Sequence, residues 1–283
     1  MNLASELTER IERASVLDHF SGPLVAVVAK AVRPRAVRNC LSGTPLGHPA
    51  HPMLTDVPIG AWASAAFLDI FGGRSSRRAA DLLVKLGVLS ALPTAASGLN
   101  DWSDTYGPET RLGMVHAAAN SGALVVYCLS ARARKRGRRA RGKLLGLVGF
   151  GMLVGGSYLG GHLSFSRGTN VNRLAYEAGP DDWTPVLADA ELSEGEHRRV
   201  DAAGTGVLLS RDAGRVWAIS ATCSHMGGPL EEGEFADGCV TCPWHGSIFR
   251  LSDGGIERGP ACVRQHVFQT RISDGQIEVC AAS

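Results

Sequence analysis

The chain carries almost no net charge. Its 283 residues hold 29 Lys and Arg against 27 Asp and Glu, a formal net charge of +2, so overall charge gives no ground for a nucleic-acid partner. An N-terminal secretory signal is also lacking, as is a twin-arginine export motif. Residues 3–20 instead put Leu3, Leu7, Ile11 and Leu17 on one helical face and Glu6, Glu9, Arg10 and Arg13 elsewhere, the pattern of an amphipathic helix lying in a membrane interface. The apolar run 23–32 is too short to cross a bilayer. Disulfide spacing is missing too: Cys40, Cys128, Cys239, Cys262 and Cys280 are scattered and are expected to be free thiols.

What the first half does have is apolar length. Four segments, 53–72, 79–99, 112–131 and 144–164, are each about 20 residues long, enough to span a hydrocarbon core of about 30 Å. A soluble bundle would account for Asp56, Asp69, Asp81 and Lys85, but none of the segments has a polar stripe broad enough for a solvated face. The fourth carries Gly151-x3-Gly155 and Gly156-x3-Gly160, the small-residue spacing that lets membrane helices approach closely. A basic run at 132–143 lies between two apolar segments, so it reads as a loop at the bilayer surface and not as a nucleic-acid patch. The expected partners are a lipid bilayer and no nucleic acid.

The second half has a different grain. VLLSRDAGRVWAIS alternates apolar positions around a turn at 212–214, and VFQTRISDGQIEVC repeats the arrangement, so short antiparallel strands joined by hairpins are expected. Within this region lies Cys223-x-His225, then sixteen residues, then Cys242-x2-His245. Two cysteines and two histidines in that order suit an asymmetric 2Fe–2S cluster, one iron held by thiolates and the other by imidazoles. Cys239-x2-Cys242 with Cys223 and His225 would also suit zinc, but that choice leaves His245 and the Gly-Pro loop residues 227–229 without a purpose.

The stretches CSHMGGPL and CPWHGSIF resemble the two cluster loops of the Rieske family. The resemblance implies that Cys223 and Cys242 bind one iron and His225 and His245 the outer one. The family positions that form an inter-loop disulfide in relatives from oxidising compartments are Gly228 and Trp244 here, so this chain is similar to the ferredoxin-type branch, which lacks that bridge. In high-potential relatives a serine and a tyrosine of the second loop donate hydrogen bonds to the cluster. The matching residues are Ser247 and Phe249, which implies a potential in the lower half of the Rieske range and a ferredoxin- or nicotinamide-linked donor. HPMLTDVPIGAW, ASGLNDW and YLGGHLSFSRGTNVN in turn resemble a family of uncharacterised four-helix bacterial membrane proteins. The expected organisation is therefore a membrane four-helix bundle followed by a small all-β Rieske domain. Its parts are an amphipathic segment at 1–47, transmembrane helices within 48–173, a linker at 174–182 and the Rieske domain at 183–283.

This implies a carrier of single electrons between a donor and a membrane or partner-enzyme acceptor, the acceptor being a redox protein or a quinone. The alternative is a redox-sensing or scaffold protein whose cluster state controls a partner. Resembling oxygenases continue into a mononuclear-iron domain; only 38 residues follow His245, so oxygenase activity is not expected of this polypeptide. Four crossings put both chain ends, the acidic loop and three histidines, His51, His116 and His162, toward one membrane face. Asp56, Asp101 and Asn120 fall nearby in register. That group suggests a second site for haem b, a metal or a quinone, or else buried polar groups bonded to one another. The other face holds Arg74, Arg77, Arg78 and eight basic residues in 132–143. The positive-inside rule makes that face cytoplasmic and the Rieske domain external. The missing inter-loop disulfide argues for a reducing compartment, so the two arguments oppose each other.

Overall fold

The computed structural model describes residues 3–281, and the side chain of Leu3 lies outside the description. Two compact units emerge. One comprises residues up to Pro34 together with Ala50–Thr169, and the other comprises Arg35–Pro49 together with Asn170 onward. The expected boundaries stand at 47/48 and 173/174; here residues 35–49 group with the second unit, and so do residues 170–173.

The first unit is helical. Helix α1 (Leu3–Arg13) ends in a 3-10 turn at Ser15–Leu17, so the single helix expected over 3–20 is broken, and α2 (Asp18–Ala31) takes in the short apolar run. Helices α4 (Ala50–Phe71), α5 (Arg77–Trp102), α6 (Gly107–Lys135) and α7 (Arg139–Gly161) follow. Among the described residues, four helices at these positions are long and apolar enough to cross a membrane. Their packing is inverted relative to a soluble bundle. Small residues such as Ala61, Ala65 and Ala123 lie inside, while Phe67, Leu82, Leu89, Val125 and Leu144 face outward. Where the outside is lipid, large apolar residues lose nothing there, and small ones let helices close on each other.

Glycines of α7 receive α6 along its length. A Cβ at Gly149 would meet Tyr127, one at Gly156 would meet Asn120, and one at Gly160 would meet His116. The expected Gly156/Gly160 spacing is thus used, whereas Gly151 and Gly155 face open space. Asp69 and Asp81 do not form a solvated face. Arg134 bonds to both, to Asp81 at 3.0 Å, and its side chain and that of Asp69 are 2% and 4% exposed. Arg139 joins the same pair of aspartates, so one ion network ties all four long helices at the basic-loop end.

The second unit contains α3 (Arg35–Ser42) and ten strands. Strands β1 (Thr184–Ala188), β10 (Gln276–Ala281) and β9 (Phe268–Ser273) pair in that order. A second sheet has β2 (His197–Ala202), β3 (Thr205–Asp212) and β4 (Arg215–Ser220). The third has β5 (Glu234–Ala236), β6 (Cys239–Thr241), β7 (Ile248–Arg250) and β8 (Ile256–Arg258). The neighbouring strands in each sheet run antiparallel. Two-residue turns join four of the hairpins. Both residues have positive φ at Ala203-Gly204, Ala213-Gly214, Asp237-Gly238 and Asp274-Gly275, the twist that type I′ turns share with the strands they connect. Residues 174–182 are not a free linker: Leu174 is completely buried, and Ala281 N–H donates to Pro180 O at 2.8 Å.

Candidate functional site: two matched loops

The loop after β4 carries Cys223 and His225, and the loop between β6 and β7 carries Cys242 and His245. The two loops close in the same way. Cys223 N–H donates to Gly228 O at 2.8 Å and Gly227 N–H returns to Cys223 O at 2.9 Å. Cys242 N–H donates to Ser247 O at 2.8 Å and Gly246 N–H returns to Cys242 O at 3.0 Å. Gly227 and Gly246 hold φ of +85° and +69°, a region that side chains penalise. Each sulfur also faces the amides two and three residues on: those of His225 and Met226 for Cys223, and of Trp244 and His245 for Cys242. Four amides aimed at two sulfurs stabilise thiolate over thiol.

The two cysteines share a proton when they stand alone. Cys223 donates to Cys242, which with burial pushes the Cys223 thiol up, while Cys242 falls to about 7 because of that bond and its amides. The imidazoles of His225 and His245 lie with ring centres 5.1 Å apart at 89°. Burial first, then His245 and the nearby Arg38 and Arg173 charges, holds His225 down to about 3. It is therefore the neutral imidazole that ligation requires.

Two cysteine sulfurs, each facing a pair of amides, and two adjacent imidazoles fit a 2Fe–2S cluster, which when bound supplies one-electron chemistry. Among the described residues no three His, Cys, Asp or Glu side chains converge on a single ion. A zinc site would need that convergence; a cluster with two ligands on each iron does not. Cys239, the fourth zinc candidate, stands in β6 opposite Arg250, among the charges of Glu257, Arg250 and Asp237.

Gly228 is required by proximity: a Cβ there would lie 2.8 Å from Cys242 Sγ and 3.1 Å from Trp244 Cγ. The indole thus fills the position where an inter-loop disulfide would stand. Ser247 is fully buried, and its Oγ accepts the Ala261 N–H at 3.0 Å. Ser224 Oγ donates to Val263 O at 2.7 Å. The segment 259–265 thereby braces both loops. It is braced in turn by residues 35–49: Gly259 N–H donates to Asn39 Oδ1 at 2.8 Å and Thr44 Oγ1 to Ala261 O at 2.9 Å. Sequence reading missed this outer layer, and also Asn170, whose Oδ1 lies 3.1 Å from His225 Nε2. GTNVN stands out in the sequence only as a marker of the helical family.

The expected second site divides. His51 and His116 come together, ring centres 6.4 Å apart at 79°. His51 Nδ1 bonds Thr94 O at 3.0 Å and His116 Nδ1 bonds Gly156 O at 2.8 Å. Asn120 stays with His116, its amide 2.9 Å from the backbone oxygen of that residue. His162 is drawn elsewhere, with Nε2 3.2 Å from Glu12 Oε1. A three-histidine site is not formed, because α1 brings a carboxylate to the third ring.

Comparison with known proteins also finds two parts in the chain. The family described as "Rieske [2Fe-2S] domain" matches residues 182–269, and the family described as "Predicted membrane protein (DUF2231)" matches residues 47–173. Apoptosis-inducing factor 3 of Mus musculus is 36% identical over 92 residues, which are 32% of this chain and only 15% of that protein. The anthranilate 1,2-dioxygenase ferredoxin subunit of Burkholderia cepacia is 33% identical over 103 residues, 36% of this chain and 95% of that subunit. Among solved structures, the ferredoxin of carbazole 1,9a-dioxygenase from Nocardioides aromaticivorans is 25% identical. That match covers 35% of this chain and 98% of that one, with a TM-score of 0.34. Matched across almost the whole of a ferredoxin subunit, the chain belongs to the Rieske [2Fe-2S] family, and its helical region is similar to the DUF2231 family.

Proposed function

We propose that this protein is a membrane-anchored Rieske carrier that passes single electrons from a soluble donor to a partner enzyme. Cys223 and Cys242 hold the inner iron and His225 and His245 the outer one. The observation that carries the reading is the matched closure of the two loops, with paired amides at each sulfur and the two imidazoles side by side. The apolar outer faces of α4 to α7 supply the anchor. Ferredoxin relatives of oxygenase systems support a protein acceptor over a quinone.

Full-length protein purified in detergent should show a Rieske EPR signal after dithionite reduction. His245→Ala should abolish that signal and Cys239→Ser should keep it. Loss on Cys239→Ser alone would overturn the ligand assignment. Turnover with reductase and oxygenase components, compared with quinones, separates a carrier from a redox sensor: a sensor titrates but sustains no electron flux to either acceptor. The external placement from the positive-inside rule is tested by labelling Cys40 with a membrane-impermeant thiol reagent from each side of sealed vesicles.

A second redox group, haem b, is a further part of this proposal: His51 and His116, whose rings come together, would hold it, and when bound it would supply one-electron chemistry. Each Nδ1 lies on a carbonyl oxygen, so Nε2 would be the ligating nitrogen, and at His116 it would have to displace the Asn120 amide that lies 3.3 Å away. His51→Ala and His116→Ala should each remove the same visible absorption band, and His162→Ala should leave it. A colourless membrane half after cluster removal would refute the haem.

A further inference from the structure

One cluster histidine has a partner from outside the Rieske match. Asn170 has φ of +58°, a left-handed conformation that Asn tolerates better than most residues. From there its backbone N–H reaches Met226 Sδ at 3.4 Å and its Oδ1 lies 3.1 Å from His225 Nε2. Arg173 N–H, three residues on, donates to Ser224 O at 3.0 Å. Ser224, His225 and Met226 are consecutive in the first cluster loop, so residues 170–173 run along it.

We infer that Asn170 is a positioning residue for the cluster, fixing the orientation and tautomer of His225 and lowering the reduction potential through its side-chain oxygen. The inference rests on the reading of His225 as an iron ligand. An imidazole that binds iron through Nδ1 keeps its proton on Nε2. An acceptor at that N–H makes the ligating nitrogen more basic. The added electron density favours the oxidised iron over the reduced one. His225 is only 8% exposed, so water is a poor substitute for the amide. Reduction adds one electron and moves no proton in this scheme; His225 keeps its hydrogen throughout. The Nε2–H is also engaged within the chain, and a quinone oxygen could take it only by displacing Asn170.

The test is an EPR-monitored redox titration of the full-length protein in detergent, with Asn170→Gly and Asn170→Asp. Both substitutions tolerate the left-handed backbone. Glycine removes the acceptor and should raise the midpoint. Aspartate strengthens the acceptor and should lower it, both variants keeping wild-type spin per iron. Shifts of opposite sign are the signature, since a merely loosened loop moves both variants in one direction. Unchanged midpoints, shifts of the same sign, or loss of the signal in both variants would overturn the inference. A wild-type protein that loads iron but gives no Rieske signal would instead overturn the cluster reading.

Discussion

Replacing Ser247 by alanine tests the chemistry of the second loop most directly. The side chain is completely buried, and its oxygen already accepts the Ala261 N–H at 3.0 Å. With that lone pair engaged, the hydroxyl proton is directed away from Ala261. On the proposed reading of the site it would donate to a cluster sulfur. A hydrogen bond to a charged acceptor is worth about 1.5–3 kcal/mol net. Only the part gained when the cluster takes its electron moves the potential; taking about half gives about 1.1 kcal/mol, or about 50 mV for one electron. Ser247→Ala should therefore lower the midpoint by about that much. The converse change is Phe249→Tyr, at a fully buried ring in the core that also contains Cys223 and Cys242. A hydroxyl that reaches a cysteine sulfur there should raise the midpoint by a similar amount. The wild-type value should lie in the lower half of a range from about −150 to +300 mV. The assay is a mediated titration followed by EPR, with spin quantified against iron. That quantification matters because alanine at 247 strands the Ala261 N–H, at about 1–3 kcal/mol of stability. A wild-type midpoint near the top of the range, or Ser247→Ala with full cluster and no shift, would refute the reasoning.

Three further outcomes follow from the geometry. Gly228→Ala puts a methyl group 2.8 Å from Cys242 Sγ and should abolish cluster loading, measured as iron and sulfide content, while Gly238→Ala in a distant hairpin turn should load normally. Asp69→Asn removes one partner of a pair whose side chains are 4% and 2% exposed and should cost about 3–5 kcal/mol in detergent unfolding followed by circular dichroism; a loss below about 1 kcal/mol would mean the pair acts like a surface one. Asp253 is held down to about 2 by the Arg250 guanidinium and the Gly255 N–H, from an ordinary value of 3.8. Its stabilisation is present above the unfolded value and lost as pH falls through about 2, so Asp253→Asn should flatten the acid limb of stability against pH.

The candidate ligands stood out in the sequence because ligation constrains residue type and spacing at once, and a 2Fe–2S cluster would use Cys223, His225, Cys242 and His245 together. The helices were legible because apolar length has few other meanings. Asn170 and Asn39 were not, since one amide side chain can bond to almost anything and its partner lies 55 or 220 residues away in sequence. The split of the histidine trio was hidden for a related reason. Periodicity places a residue on a helix face, but it does not reveal that Glu12 from another element arrives at His162. Ala203 concealed a hairpin turn, because alanine at positive φ contradicts the Asn or Asp that usually marks a type I′ turn.

Residues 35–49 and 170 onward form a single folded body, which constrains the count of crossings. A folded body lies wholly on one side of a bilayer. Residues 50–169 leave that body and return to it, so with the chain inserted as proposed they would cross a membrane an even number of times. Four such helices satisfy this parity and three would not. On that proposed topology, losing or gaining one span would part α3 from the brace at 259–265, so topology and the surroundings of the two loops would change together.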